Sequence, residues 1–443
     1  MNISYKRIIS IAIPVVFANL AMPIQNLIDT AIVGHFNDPF KLAGLGLSMQ
    51  VIALLLVSFN FLQYASSGLS AQAVGQYGQD NKGANTKLLA ILQRALLLAL
   101  IIGFFLLLLR QWLIPFALKI LSANQSNGLV AKQYLEIRFF GFIAELFNYA
   151  FLGWFAGMGK TKIMLYLQSF IAVSNIILTM VFVFILNLGI KGVALGTVIA
   201  YWLSVLLAFI FVVRHLKVKL TDIFKINWQQ PNINALASLL SLNKDIFIRT
   251  LLLTLSFAWI TKLAAQSGDL VLATHACFLQ VLYISAFALD GIAVATETLS
   301  GQSYASKNRF YFLQVLKKTG IISYLLAIFL SFLWWLFYPQ FISLMTNIND
   351  IKIMAVQYKW YAIFIPVIGV GAYWLDGVLF GLTAGKEIRK TATLVALMFF
   401  PTSYLLYHIF GAQGIWQSVW LILLLRLMIL SIFLYKKMLK SAA

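Results

Sequence analysis

Apolar residues run along this chain in long unbroken stretches separated by short polar joints, without the two-residue alternation of half-buried strands. A helix of about 20 apolar residues crosses a bilayer. The pattern predicts about twelve such spans, at roughly 8–34, 43–74, 88–110, 132–157, 163–186, 190–213, 245–266, 271–300, 312–337, 353–382, 391–410 and 413–435. The longest polar connection, from Arg214 to Lys244, carries Lys217, Lys219, Lys225, Trp228 and Pro231. It divides the chain into an N-lobe (1–213, spans one to six), a cytoplasmic linker (214–244) and a C-lobe (245–443, spans seven to twelve). The fold class expected is an all-α polytopic membrane protein of two pseudo-symmetric six-helix lobes. A membrane β-barrel is excluded, because its strands would alternate polar and apolar over about ten residues.

The first span breaks its own pattern. Asn19, Gln25, Asn26 and above all Asp29 lie in its apolar run, with Pro14 and Pro23 removing backbone donors. A carboxylate at membrane depth costs at least about 2.5–3.5 kcal/mol, so it faces protein interior or a watery cavity. The reading is a bendable helix that carries one titratable group into a cavity; an Asp hydrogen-bonded near a helix end is the alternative.

Composition sharpens the class. Of 443 residues 62% are hydrophobic and 10% charged, and the mean hydropathy is +0.90. The net charge of +20 is spread through short loops rather than along a basic aromatic face, so no nucleic-acid partner is expected. With the N-terminus inside, inward loops hold about 21 Lys and Arg and outward loops about six, which predicts both termini cytoplasmic. The single Cys277 excludes an internal disulfide. Lys6 and Arg7 precede an apolar run too long for a signal peptide, so that run is expected to be a retained helix.

The halves repeat. Leu69-Ser70-Ala71-Gln72 matches Leu299-Ser300-Gly301-Gln302, and Leu42-Ala43 matches Leu272-Ala273 at the same spacing. Gly157-Met158-Gly159-Lys160 pairs with Thr383-Ala384-Gly385-Lys386, and Leu188-Gly189-Ile190-Lys191-Gly192 with Phe410-Gly411-Ala412-Gln413-Gly414. An even number of spans per unit makes the repeats parallel, a plan used by transporters that open alternately to either side.

Intramembrane charge marks candidate sites. Asp290 and Glu297 stand two helical turns apart on one face of span eight, able to bind a cation or share protons, or to serve as structural acceptors. Asp376 opens the small-xxx-small stretch Gly377–Gly381, whose counterpart is Gly153–Gly157. Glu136 is read as locally paired with the neighbouring Arg138, and Glu145 as deeper in the same span. Arg249 is read as snorkelling to the cytoplasmic interface rather than holding a carboxylate, and Lys262 as doing likewise at the outer end. Enzyme signals fail. Gly159-Lys160-Thr161 resembles the end of a P-loop, but Trp154 stands where the first glycine is required. His35, His215, His275 and His408 are isolated, and no Gly-x-Ser-x-Gly elbow occurs. The reading is therefore not an enzyme: no catalytic residue, no metal site and no cofactor beyond a coupling ion, H⁺ or Na⁺.

Taken together, the motifs Asp29-Thr30-Ala31-Ile32-Val33-Gly34-His35, Gly68–Ala73, Leu135-Glu136-Ile137-Arg138, Leu242–Ile246, Leu289-Asp290-Gly291-Ile292-Ala293, Glu297, Ser300-Gly301-Gln302 and Leu375-Asp376-Gly377 resemble the multidrug and toxic compound extrusion (MATE) transporters, in their DinF-like branch. The resemblance runs nearly end to end. It implies secondary active export of organic, often cationic and lipophilic, compounds by alternating access. The compounds would exchange for H⁺, with Na⁺ the weaker candidate. It implies proton or cation coupling at Asp29 with Asn175 and Thr197, and a substrate or C-lobe cavity at Asp290, Glu297, Asp376 and Arg249. One departure stands out: the family's Asn-x-x-x-Asp on span five reads Asn175 followed by Thr179 here, which weakens Na⁺ coordination and favours a proton at Asp29. A lipid-linked oligosaccharide flippase of the same superfamily is the alternative, but its pyrophosphate calls for a strongly basic cavity. A membrane-embedded lipid enzyme and a passive channel are weaker alternatives still. The expected partners are small organic molecules and the lipid bilayer of a bacterial or archaeal cytoplasmic membrane, around a monomer.

Overall fold

The computed structural model describes residues 3–34, 39–78, 82–120, 125–225, 233–346 and 348–440. His35 of the opening motif and Trp228 and Pro231 of the connector lie outside the described residues. Contacts divide the chain into two compact units, Phe17–Leu239 and a second unit made of Met1–Val16 with Leu240–Ala443.

Helices of the first unit are α1 from Phe17 onward (α1 as a whole is Tyr5–Gly34), α2 (Pro39–Phe59), α3 (Phe61–Tyr77), α4 (Lys82–Ile120), α5 (Gln125–Arg138), α6 (Phe142–Gly157), α7 (Thr161–Met180), α8 (Gly189–Leu216) and the short α9 (Leu220–Phe224). The second unit holds α10 from Leu240 onward (α10 as a whole is Ile233–Gln266), α11 (Asp269–Ala305), α12 (Arg309–Met345), α13 (Asn349–Gln357), α14 (Lys359–Ile363), α15 (Ile365–Gly381), α16 (Gly385–Phe410) and α17 (Ala412–Lys440). Among the described residues, eleven helices are long and apolar enough to cross a bilayer. The twelfth expected span, 43–74, is divided at Asn60 into α2 and α3. Large apolar side chains such as Phe104, Phe105 and Trp112 on α4, and Phe329, Phe332 and Trp335 on α12, stand exposed. This is a multi-pass membrane protein, and such faces suit lipid rather than water.

Two expected spans are broken where the site needs them broken. Span four divides at a 3₁₀ turn, Phe139–Gly141, into α5 and α6. Span ten divides at Tyr358 and again at Phe364, the latter followed by Pro366 in the first turn of α15, where a missing N–H costs nothing.

Glycines explain why the long helices of each unit lie so close. In the first unit, a Cβ at Gly153 or Gly157 of α6 would run into the carbonyl oxygen of Gln63 or Ser67 on α3. In the second, a Cβ at Gly377 or Gly381 of α15 would meet the carbonyl oxygen of Ala293 or Glu297 on α11. The four contacts repeat at fixed offsets (377 − 153 = 381 − 157 = 224; 293 − 63 = 297 − 67 = 230), so each unit is built on the same crossing. This also corrects one repeat. The turn Gly157–Lys160 corresponds to Gly381–Ala384, not to Thr383–Lys386. Both Lys160 N and Ala384 N donate 2.9 Å bonds to the carbonyl five residues back, Phe155 and Leu379. Gly159 and its true counterpart Thr383 both take positive φ (75° and 49°); the shared Gly-Lys pair slips the register by two. Gly153→Val is expected to lose about 1–3 kcal/mol to overpacking, seen as early melting of the detergent-solubilised protein, because backbone rather than a movable side chain blocks the new atoms.

The start of α1 belongs to the second unit because it is sewn there. Ile8, Ile11 and Ala12 share a core with Ile292, Ala295 and Leu299 of α11 and Val315 of α12. Arg7 donates to Gln302 Oε1 at 3.2 Å, and Lys318 Nζ donates to the Ile3 carbonyl at 2.6 Å.

Candidate functional site

Asp29 lies on α1 in the first unit, 1% exposed. Its Oδ1 is enclosed and accepts no hydrogen bond. The charge it faces is Arg138, at the last turn of α5. Arg138 forms an ion pair with Glu145 in the first turn of α6, with both side chains buried. The 3₁₀ turn between them sets this geometry, and Gly141 within it leaves room for the guanidinium, since a Cβ there would sit 3.0 Å from Arg138 Nη1. Tyr134 is buried and faces both Arg138 and Asp29, while the Tyr201 ring lies 5.7 Å from the Arg138 Cζ. Beside Glu145, a cavity of about 30 Å³ is lined by Gln25, Asn148, Tyr149, Gln168 and Tyr201 together with Ala21, Leu56 and Leu152, room for about two waters. Asn148 is fixed there: its Nδ2 donates to the Ala144 carbonyl at 2.8 Å, and its Oδ1 accepts from Ser204 Oγ at 2.8 Å.

The local reading of Glu136 is corrected. Glu136 faces Lys132 at 3.9 Å, both half-exposed, and Arg138 is taken by Glu145. Asn175 and Thr197 do meet. Asn175 Nδ2 donates to Thr197 Oγ1 at 2.8 Å, and Thr197 Oγ1 donates to the Val193 carbonyl at 3.0 Å. Thr179, also buried, fits beneath Gly196, where a Cβ would stand 2.6 Å from its Oγ1. Among the described residues, no hydrogen bond joins this pair to Asp29. Pro14 is buried inside α1, two residues before the chain passes from one unit to the other.

In the second unit, Asp376 Oδ2 accepts from both Arg249 and Arg426, the latter at 2.6 Å. Arg249 therefore holds a carboxylate, contrary to the snorkelling reading; a buried acceptor within reach outweighs a longer path to the interface. The guanidinium planes rest near aromatic rings, Arg249 Cζ 5.4 Å from Phe380 and Arg426 Cζ 5.5 Å from Tyr373. Asp290, partly buried on α11, faces the same two arginines and Asp376. Glu297, two turns on, is buried where α11 packs against α15, and it is not among the charges that Asp290 faces. The structure thus brings Asp290, Asp376 and Arg249 together and adds Arg426. Lys262 sits 5.3 Å from the ring of Trp259. Trp154, which spoiled the P-loop resemblance, anchors α6 to α4 by donating to the Leu88 carbonyl at 2.9 Å.

An all-helical, multi-pass protein of two like-built units, each with charge buried at membrane depth, has the makings of a transporter. The sequence matches the MatE family over residues 14–181 and 246–406, and the chain belongs to that family of membrane transporters. It is 33% identical over 425 residues to the DNA damage-inducible protein F of Escherichia coli, covering 96% of this chain and 90% of that one. It is 25% identical to a probable multidrug resistance protein NorM of Agrobacterium fabrum, covering 93% and 89%. Its fold matches a MOP superfamily transporter from Pyrococcus furiosus with a TM-score of 0.84 at 20% identity, covering 99% and 96% of the two chains. A multidrug resistance MATE transporter in an outward-facing conformation matches with the same score and coverage.

Proposed function

We propose that this protein exports organic, lipophilic and often cationic compounds across a bacterial or archaeal cytoplasmic membrane in exchange for protons, as a monomer with both termini inside. The observation that carries this reading is Asp29: a carboxylate deep in an apolar helix, its Oδ1 enclosed and unbonded, facing a fixed guanidinium. An oxygen so placed can take and give a proton with little rearrangement around it. The proton drives export only if it binds one conformation more tightly than the other, since equal affinity shifts nothing. Asn175 and Thr197 line the same unit as its polar interior, and Thr179 supplies a hydroxyl where a second carboxylate would suit Na⁺ better. In the second unit the arginines are committed to Asp376, which disfavours the pyrophosphate cradle of an oligosaccharide flippase. Asp290, Glu297, Asp376 and Arg249 are assigned to the substrate side of the cycle.

The test is dye transport in proteoliposomes with ΔpH and ΔNa⁺ imposed separately. Wild type is expected to respond to ΔpH, and Asp29→Asn to lose roughly tenfold or more of that transport. Full ΔpH-driven export by Asp29→Asn overturns the proposal. Na⁺-driven export surviving in the variant moves coupling to Asp290 and its neighbours.

A further inference from the structure

We infer that Arg138 is the resident cation of the first unit's ion site, and that its guanidinium, paired with Glu145 and facing Asp29, restricts the exchangeable ion to a proton and keeps Na⁺ out. The inference rests on the proton reading above but concerns a different residue and a different observable. Among the described residues, the charged and titratable groups that interact across the site are Asp29 on α1, Tyr64 on α3, Tyr134 and Arg138 on α5, Glu145 and Tyr149 on α6, and Tyr201 on α8. Arg138 is the single cation among them.

With both carboxylates ionised the group carries one net negative charge, so one added cation neutralises it. A proton and a sodium ion meet very different terms there. The proton needs one lone pair, and Asp29 Oδ1 offers an enclosed one without a hydrogen bond. Sodium needs a shell of several oxygens, and Glu145, the second carboxylate of the unit's interior, is already held by Arg138. The neighbouring cavity of about 30 Å³ holds about two waters, too few for a hydrated ion. A second full positive charge beside a buried guanidinium is also strongly repelled where water is scarce. Thr179 on α7, a buried hydroxyl, brings no further negative charge to the unit's interior.

The experiment is a melting series on purified protein at pH 8, in NaCl against choline chloride of equal strength, because it needs no transport. Wild type and Arg138→Lys are expected to melt at the same temperature in both salts. Arg138→Gln and the shorter Arg138→Asn, which both free the Glu145 carboxylate, are expected to gain Na⁺-specific stabilisation of about 2–4 °C. Arg138→Asn decides the matter if Arg138→Gln does not fold. Stabilisation of wild type by NaCl over choline overturns the inference, as does Na⁺ indifference in the folded variants lacking Arg138. Loss of the proton reading would show instead as undiminished ΔpH-driven transport by Asp29→Asn, whatever the salts do to melting.

Discussion

Arg138→Gln is expected to lose about 3–5 kcal/mol of stability, among the largest costs of any single change in the first unit. Removing the guanidinium strands Glu145, whose side chain is 2% exposed, beside a second buried carboxylate, Asp29. Neither has water to turn to beyond the small cavity. Glu145→Gln should cost less, because Arg138 then still faces Asp29. The double variant should recover most of the loss, since two amides of similar shape can satisfy each other and leave no uncompensated charge. The order Arg138→Gln, then Glu145→Gln, then the double variant is read from melting temperatures or thermal-inactivation half-lives in detergent. Simple additivity of the two single losses would show that the pair is not coupled. Arg138→Gln/Glu145→Gln should also keep Asp29 and with it a response to ΔpH, which separates folding from coupling.

How much of this was legible in the chain depends on scale. Helices announce themselves because an apolar run of bilayer length has few alternative folds in lipid. Asp29 announces itself because charge inside such a run is costly. Asn175 and Thr197, carried over from the family resemblance, do meet in the structure. Pairings were harder. Arg138 was read against its neighbour Glu136, although its partner lies seven residues on, beyond a 3₁₀ turn that the pattern of a continuous span conceals. Gly141, between two opposite charges in an apolar stretch, was the available signal. Arg426 was missed outright, yet a lone arginine in Leu423-Leu424-Leu425-Arg426-Leu427 carries the same warning as Asp29. Which of several intramembrane carboxylates it would meet is a matter of helix packing, and no local rule supplies that. The slipped repeat teaches the converse: the glycine spacing at Gly153–Gly157 and Gly377–Gly381 records a backbone crossing, whereas a shared Gly-Lys pair records chance as readily as structure.

Asp376→Asn is expected to be as damaging in the second unit, for the opposite electrostatic reason. Arg249 and Arg426 share one oxygen of Asp376. Neutralising that carboxylate leaves two guanidinium groups facing each other, with Asp290 the remaining carboxylate in reach. Breaking such a buried group by removing its central partner costs about 3–5 kcal/mol, so the variant should accumulate poorly or elute as aggregate. Removing one arginine instead leaves the other still paired with Asp376, and the two arginines should differ. Arg249 is 16% exposed and Arg426 6%, so water compensates part of what Arg249→Gln loses, and Arg426→Gln should melt lower than Arg249→Gln. Asp376→Asn/Arg249→Gln should melt above Asp376→Asn alone, because it relieves the repulsion. Size-exclusion profiles and melting temperatures of the four variants check the order. If Arg249→Gln proved the least stable of them, Asp376 would not be the hub of the cluster. Arg249→Gln, folded and still driven by ΔpH but altered in which dyes it exports, is the outcome expected if this cluster shapes the substrate side while Asp29 carries the proton.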